Sequence, residues 1–512
     1  MPWYIQFSGQ ALMTKIKYPA EDGYVASVDK ADVASKARKG IKWSALQIIT
    51  RNVLSLGTTA VLARLLSPGD FGLVGMVATL TALLQVFSDM GLSWATIQSQ
   101  QLSKAQISNL FWINTGVGAL LWGFCILAAP GIADFYGEQE LVGITVALGG
   151  GFLLSGFAAQ PIALLNRTMN YKTAAKIEVF AIMAGAIAAL VSAFLGFGYW
   201  ALVIQSLVNA AARALLALPM SGITILAPRQ DVGTRKLVTF GGLMAISGLF
   251  NYLACSLDSV LVGKYWGTEE LGFYNRAYFL MLLPSVLSSG VLTKVMVSAL
   301  SAIKDDQERF ASVYRKGMKL SLFIGCPMAL GLALTADEMV FIIYGSQWQP
   351  TVPIFMWLSI ISVAQPLNNA SSWLFTAAGK AKAYLYFNMA AGLILGVCFY
   401  FSAPWGTLAI ARVNGIVMGV GVIALSVWAS HKASGLSLKG TLLCVFPVVP
   451  CLLLMAFSVL VVEFVCEEFG LDFLLILMLK VLFGLVSYIC FSLFFMRDFL
   501  KKDVLPFLWV SK

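Results

Sequence analysis

Nine charged residues lie inside stretches of this chain that are otherwise apolar: Arg51, Asp89, Glu178, Arg213, Asp258, Arg276, Lys294, Arg412 and Lys480. A charge at the centre of a membrane-spanning helix costs roughly 2.5–3.5 kcal/mol on insertion scales, so it faces a wet interior or a partner rather than lipid. Charges near a helix end escape much of that cost by snorkelling. Asp89 and Lys294 lie towards the ends of their segments, whereas Lys480 is near the middle of the last. Basic residues outnumber acidic ones in this set, and Arg grips phosphate bidentately where Lys is a point charge. The surplus suits an anionic ligand, such as one carrying a diphosphate. Arg51, Arg276 and Arg412 are the leading candidates to bind it, with Arg213 and Lys294 behind them. Asp258, Glu178 and Asp89 are candidates for a coupling ion or an ion pair. Plainer roles are open to each: an Asp258–Arg276 staple between two helices, a Glu178–Lys176 pair, or arginines bonded to backbone carbonyls.

The elements that must hold these residues are helices in lipid. The chain has 512 residues, 59% hydrophobic and 12% charged, against about 25% charged in a soluble domain. That composition predicts an all-α integral membrane protein. A span needs roughly 20 mostly apolar residues. Fourteen segments qualify: 41–66, 72–97, 108–133, 141–165, 174–195, 198–221, 237–264, 272–302, 317–336, 351–378, 383–403, 405–429, 441–463 and 471–495. The weakest divisions are the turns Gly196-Phe197-Gly198 and Ala403-Pro404-Trp405.

Charge in the gaps alternates. With the N-terminus in the cytoplasm, most of the 35 basic residues fall in cytoplasmic gaps. The outer gaps collect Asp70, Asp134, Glu138, Glu140, Glu269, Glu270, Asp337, Glu338, Glu463, Glu467, Glu468 and Asp472. The positive-inside rule then predicts a multi-pass protein with both termini cytoplasmic. The net charge of +10 orients helices and meets anionic membrane lipid; it does not call for nucleic acid.

Other chemistries lack their residues. Eight cysteines are scattered without a C-x-x-C pair, and His431, in a polar gap, is the sole histidine. The cysteine spacing suits neither a disulfide framework nor a metal site, and a single histidine excludes a histidine-based metal site or triad. No phosphate-binding Gly-rich loop stands before a helix, so the chain does not drive transport with ATP itself. Neither a catalytic residue nor a cofactor is expected.

The two halves repeat. Shifting the chain by 200 residues lays Ala60-Val61-Leu62-Ala63-Arg64 on Val260-Leu261-Val262-Gly263-Lys264, and Asp70-Phe71-Gly72 on Glu270-Leu271-Gly272. Such a duplication predicts two pseudo-symmetric six-helix lobes around a central cavity, followed by two extra C-terminal helices. The parts are a cytoplasmic leader (1–40), an N-lobe (41–225), a cytoplasmic linker (226–236), a C-lobe (237–430), the last two helices (431–495) and a cytoplasmic tail (496–512).

Lys39-Gly40-Ile41-Lys42-Trp43-Ser44-Ala45 followed by Leu62-Ala63-Arg64-Leu65-Leu66-Ser67-Pro68-Gly69-Asp70-Phe71-Gly72-Leu73 resembles the opening of Wzx-type polysaccharide flippases. These belong to the multidrug/oligosaccharidyl-lipid/polysaccharide exporter superfamily. Gly198-Tyr199-Trp200-Ala201-Leu202-Val203 and Asp258-Ser259-Val260-Leu261-Val262-Gly263 with Leu271-Gly272-Phe273-Tyr274-Asn275-Arg276-Ala277 look like that family too. The resemblance spans about 36–500, closest to the branch handling colanic-acid, teichuronic-acid and lipopolysaccharide repeat units. It implies a flippase that moves undecaprenyl-diphosphate-linked oligosaccharide across the bacterial plasma (inner) membrane by alternating access. An H+ or Na+ gradient would drive it, and a glycan polymerase and export machinery would be its partners. Arg51, Arg276 and Arg412 fill the cationic role by position rather than by motif. Two rival readings are a drug or organic-cation exporter of the same superfamily, which would favour acidic cavity residues, and a membrane glycan polymerase or ligase, which would need large outer loops.

Overall fold

The structure, a computed structural model, describes residues 30–88, 92–98, 102–228, 234–469 and 471–496. Most of the leader and nearly all of the tail therefore lie outside the described residues.

Backbone polar groups find no water in hydrocarbon, so the chain satisfies them within helices. In order these are α1 (Lys30–Leu65), α2 (Pro68–Ser88), α3 (Leu92–Gln98), α4 (Lys104–Tyr136), α5 (Glu140–Arg167), α6 (Tyr171–Phe194), α7 (Trp200–Met220) and α8 (Thr234–Ala302). They continue with α9 (Gln307–Leu334), α10 (Ala336–Tyr344), α11 (Thr351–Ala377), α12 (Ala381–Ser402), α13 (Thr407–Val413), α14 (Ile423–Ser434), α15 (Leu438–Val445), α16 (Val448–Glu468) and α17 (Phe473–Phe495). A π-helical stretch, Asn414–Val422, joins α13 to α14. Among the described residues, ten helical stretches are long and apolar enough to cross a membrane. The other four predicted segments fall on α1, α2 and the two arms of α8, which bend apart at Gly267 (φ 81°, ψ −169°). Only glycine adopts that backbone readily.

One predicted segment is divided. The span 72–97 ends as α2 at Ser88, and α3 is a separate short helix. Thr96 of α3 donates to Gln160 Oε1 at 2.8 Å, and Arg167 Nη1 donates to the Thr96 carbonyl at 2.7 Å. Both partners lie on α5. Arg167 therefore works as a buried clamp on α3.

The chain forms two compact units that divide between Gly272 and Phe273, later than the polar stretch 226–236 that separates the lobes in the sequence. The helix predicted at 237–264 thus groups with the N-terminal unit. Local contacts explain why. Lys264 Nζ donates to the Phe135 carbonyl near the end of α4 and sits 4.6 Å from the Phe135 ring centroid. A cation suits that position, where helix carbonyls lack partners.

In the N-terminal unit α4 packs along α5, α6 along α7, and α1 against α6. In the C-terminal unit α11 packs against α9, α14 and the π-helical stretch. The last two spans are not appendages. Cys444, Cys451, Met455 and Tyr488 share one core with Tyr314, Met318, Leu322, Cys326 and Trp373 of α9 and α11. His431 is a correction to the polar-gap expectation. It is buried on α14, its Nδ1 beside the Val427 carbonyl and its Nε2 2.5 Å from Thr441 Oγ1.

Candidate functional site

The Leu-Ser-Pro-x-Asp-Phe-Gly element is a helix start. Ser67 N and Oγ both donate to Asp70 Oδ2, at 2.9 and 2.7 Å, while Asp70 N donates back to Ser67 Oγ at 3.2 Å. Pro68 opens α2, where its missing N–H costs nothing. The seventh residue of the element is Gly72. A Cβ there would run into the Thr268 carbonyl, and a Cβ on Gly272 would run into the Pro68 carbonyl. Residues 68 and 72 match 268 and 272 under the 200-residue shift, so the contact maps onto itself. Two turns of common design meet backbone to backbone, and glycine is what lets them approach.

The charged candidates divide into several settings. In the N-terminal unit Arg213 Nη2 of α7 donates to Glu178 Oε1 of α6 at 2.5 Å. Glu178 thus pairs with Arg213 across two helices, where the sequence put Lys176 nearest. Arg51 is exposed on α1. Asp258 is buried, with Oδ1 accepting from Ser259 N at 2.8 Å. Asp89 lies outside the described residues, and so does the side chain of Lys294.

In the C-terminal unit Asn414 Nδ2 donates to Tyr274 Oη at 3.1 Å, tying the π-helical stretch to the second arm of α8. Arg276 and Arg412 each lie two residues from that bond. Two residues turn a helix by about 200°, so both arginines leave on faces turned away from it. Arg276 is half-buried, its guanidinium 5.8 Å from the Phe279 ring and within electrostatic reach of Tyr344. Arg412 is exposed and lies 5.5 Å over the Trp357 ring of α11. The structure thus brings the two helices together but gives their arginines different surroundings. An Arg held over an indole face keeps its in-plane N–H groups directed outwards, where they can bind a phosphate. Among the described residues no group of His, Cys, Asp and Glu could hold a metal ion.

Sequence reasoning missed one ionic cluster. Lys480 stood out as a mid-segment charge, but Glu338 and Glu463 read as solvated outer-gap acids. All three meet in the C-terminal unit. Their separation along the chain concealed the contact.

Spanning helices, an ionic cluster centred on a buried lysine and small-residue crossings define a multi-pass membrane protein. The chain belongs to the polysaccharide biosynthesis protein family, whose family model matches residues 61–353. It is 25% identical to the teichuronic acid biosynthesis protein TuaB of Bacillus subtilis (strain 168), over 73% of this chain and 78% of that one. It is 24% identical to the succinoglycan biosynthesis transport protein ExoT of Rhizobium meliloti (strain 1021), over 85% and 88%. Its fold matches that of the lipid II flippase MurJ in an inward closed conformation, with a TM-score of 0.69 at 15% identity over 90% of this chain and 99% of MurJ.

Proposed function

We propose that this chain is a flippase carrying polyprenyl-diphosphate-linked oligosaccharide across the plasma membrane, for surface polysaccharide or lipopolysaccharide assembly. It is a transporter and not an enzyme. The observation that carries the reading is the family match over 61–353 on a multi-pass helical fold shared with a lipid II flippase. The relatives are named for polysaccharide biosynthesis, one of them for transport. The intramembrane charges add chemical support, because their basic excess suits a diphosphate better than an organic cation. Arg51, Arg276 and Arg412 are the proposed phosphate ligands, with Arg412 also stacking on Trp357. Movement by alternating access is coupled to H+ or Na+, and a glycan polymerase receives the product.

The test is a leaflet assay in reconstituted vesicles, with a lectin or enzyme reporting lipid-linked oligosaccharide on the far side. A lost hydrogen bond to a charged group costs about 1.5–3 kcal/mol. Arg412→Ala should therefore slow flipping at least roughly tenfold, with comparable losses for Arg51→Ala and Arg276→Ala. Normal rates in all three variants would remove the cationic mechanism.

The orientation carries its own prediction. In intact cells an impermeant maleimide should label Glu138→Cys but not Asp305→Cys. Labelling of Asp305→Cys alone would invert the proposed topology.

A further inference from the structure

Lys480 is 1% exposed, about two turns into α17. Its Nζ donates to Glu338 Oε1 at 2.6 Å, to Glu463 Oε1 at 3.1 Å and to the Leu334 carbonyl at 3.4 Å. The end of α9, the start of α10, the end of α16 and the outer part of α17 thus converge on one ammonium. The charged groups facing the cluster, among the described residues, are Asp337, Glu338, Glu463 and Lys480.

The charges do not balance. Two carboxylates share one ammonium, which leaves one net negative charge in a largely buried place. Glu338 is 5% exposed, and its Oε2 is buried without a hydrogen-bond partner. A buried anionic oxygen with no donor is costly, and a proton removes most of that cost. Glu463 has a side chain 33% exposed close to the polar end of α16, where Glu467 and Glu468 follow, and that end offers the cluster a path to water. Burial, then the charge of Glu338, pushes the neighbouring Asp337 carboxyl above the usual range, with Lys480 opposing.

We infer that Glu338, Glu463 and Lys480 form a proton-binding site. One proton from water bonds to Glu338 Oε2, while Oε1 continues to accept from Lys480. In that state the ammonium is balanced by the Glu463 carboxylate and the cluster is neutral. Release of the proton to water through the exposed side of Glu463 leaves two anions competing for one cation. A link between this proton and transport rests on the flippase reading; the proton site itself does not.

Infrared difference spectroscopy between acid and alkaline pH, on the full chain in lipid vesicles, tests the inference without substrate. Glu338→Gln should lose one carboxylic-acid equivalent relative to the wild type. Glu463→Gln should lose the same one, because Lys480 is then balanced by Glu338 alone. The double variant should lose no more than either single one. Glu463→Gln keeps the Lys480–Glu338 bond, so its fold is retained, and size exclusion checks this. Wild-type bands in both single variants, or losses that add in the double, would overturn the site and mark the cluster as a plain structural ion pair. The leaflet assay is run in parallel. A wild type that does not flip overturns the function while the infrared result stands, and the converse pattern overturns only the proton site.

Discussion

Lys480→Met should be among the most destabilising single substitutions in this protein. Methionine fills nearly the same volume, so the loss is electrostatic. Removing one partner of a buried pair leaves an uncompensated charge and costs about 3–5 kcal/mol. At alkaline pH, where both acids are ionised, Glu338, bonded to Lys480 at 2.6 Å, would bear that charge; Glu463, whose side chain is 33% exposed, loses less. Thermal unfolding in detergent, followed by fluorescence-detected size exclusion, should show a large drop in midpoint. Adding Glu338→Gln should recover much of it, because a pair replaced by neutral groups of similar size is often tolerated. A single variant as stable as the wild type would show that the ammonium contributes nothing net.

The second large effect is expected at the paired glycines. Gly272→Val places methyl groups where the Pro68 carbonyl lies, and Gly72→Val does the same to Thr268. Backbone cannot yield as a side-chain tip can, so the turns must part, at a cost near the top of the roughly 1–3 kcal/mol range for overpacking. Separation can be read directly. An ideal Cβ at Gly69 lies 3.7 Å from Thr268 Oγ1, so a Gly69→Cys/Thr268→Cys pair is within disulfide reach. Oxidation should cross-link that pair efficiently, and adding Gly272→Val should abolish the bond. Gly72→Val combined with Gly272→Val should cost less than the sum of the two, because either one already opens the contact they share. Full cross-linking in the Gly272→Val background would refute the close approach.

Much of the fold was legible because a bilayer imposes one-dimensional rules. Length and hydropathy mark each span, and charge alternation in the gaps separates one span from the next. The turns at Gly196-Phe197-Gly198 and Ala403-Pro404-Trp405 fall as predicted, with Gly196 and Gly198 at positive φ and Ala403–Trp405 a short 3-10 turn. The same rules misplaced His431. It sits beside a polar gap, and hydropathy does not register a side chain folding back under a neighbouring helix.

By itself the sequence determined the solvent, the spans, the 200-residue repeat and the stock of intramembrane charges, because these depend only on which residues occur and in what order. Tertiary structure alone decided the partners. Lys480 and Glu338 are 142 residues apart in sequence, as Arg213 and Glu178 are 35 apart, and no local period encodes either bond. Ion pairing between helices is set by which helix faces meet, and packing of small residues, such as Gly185 against α7 and Gly484 against α16, helps fix that rather than the charges themselves.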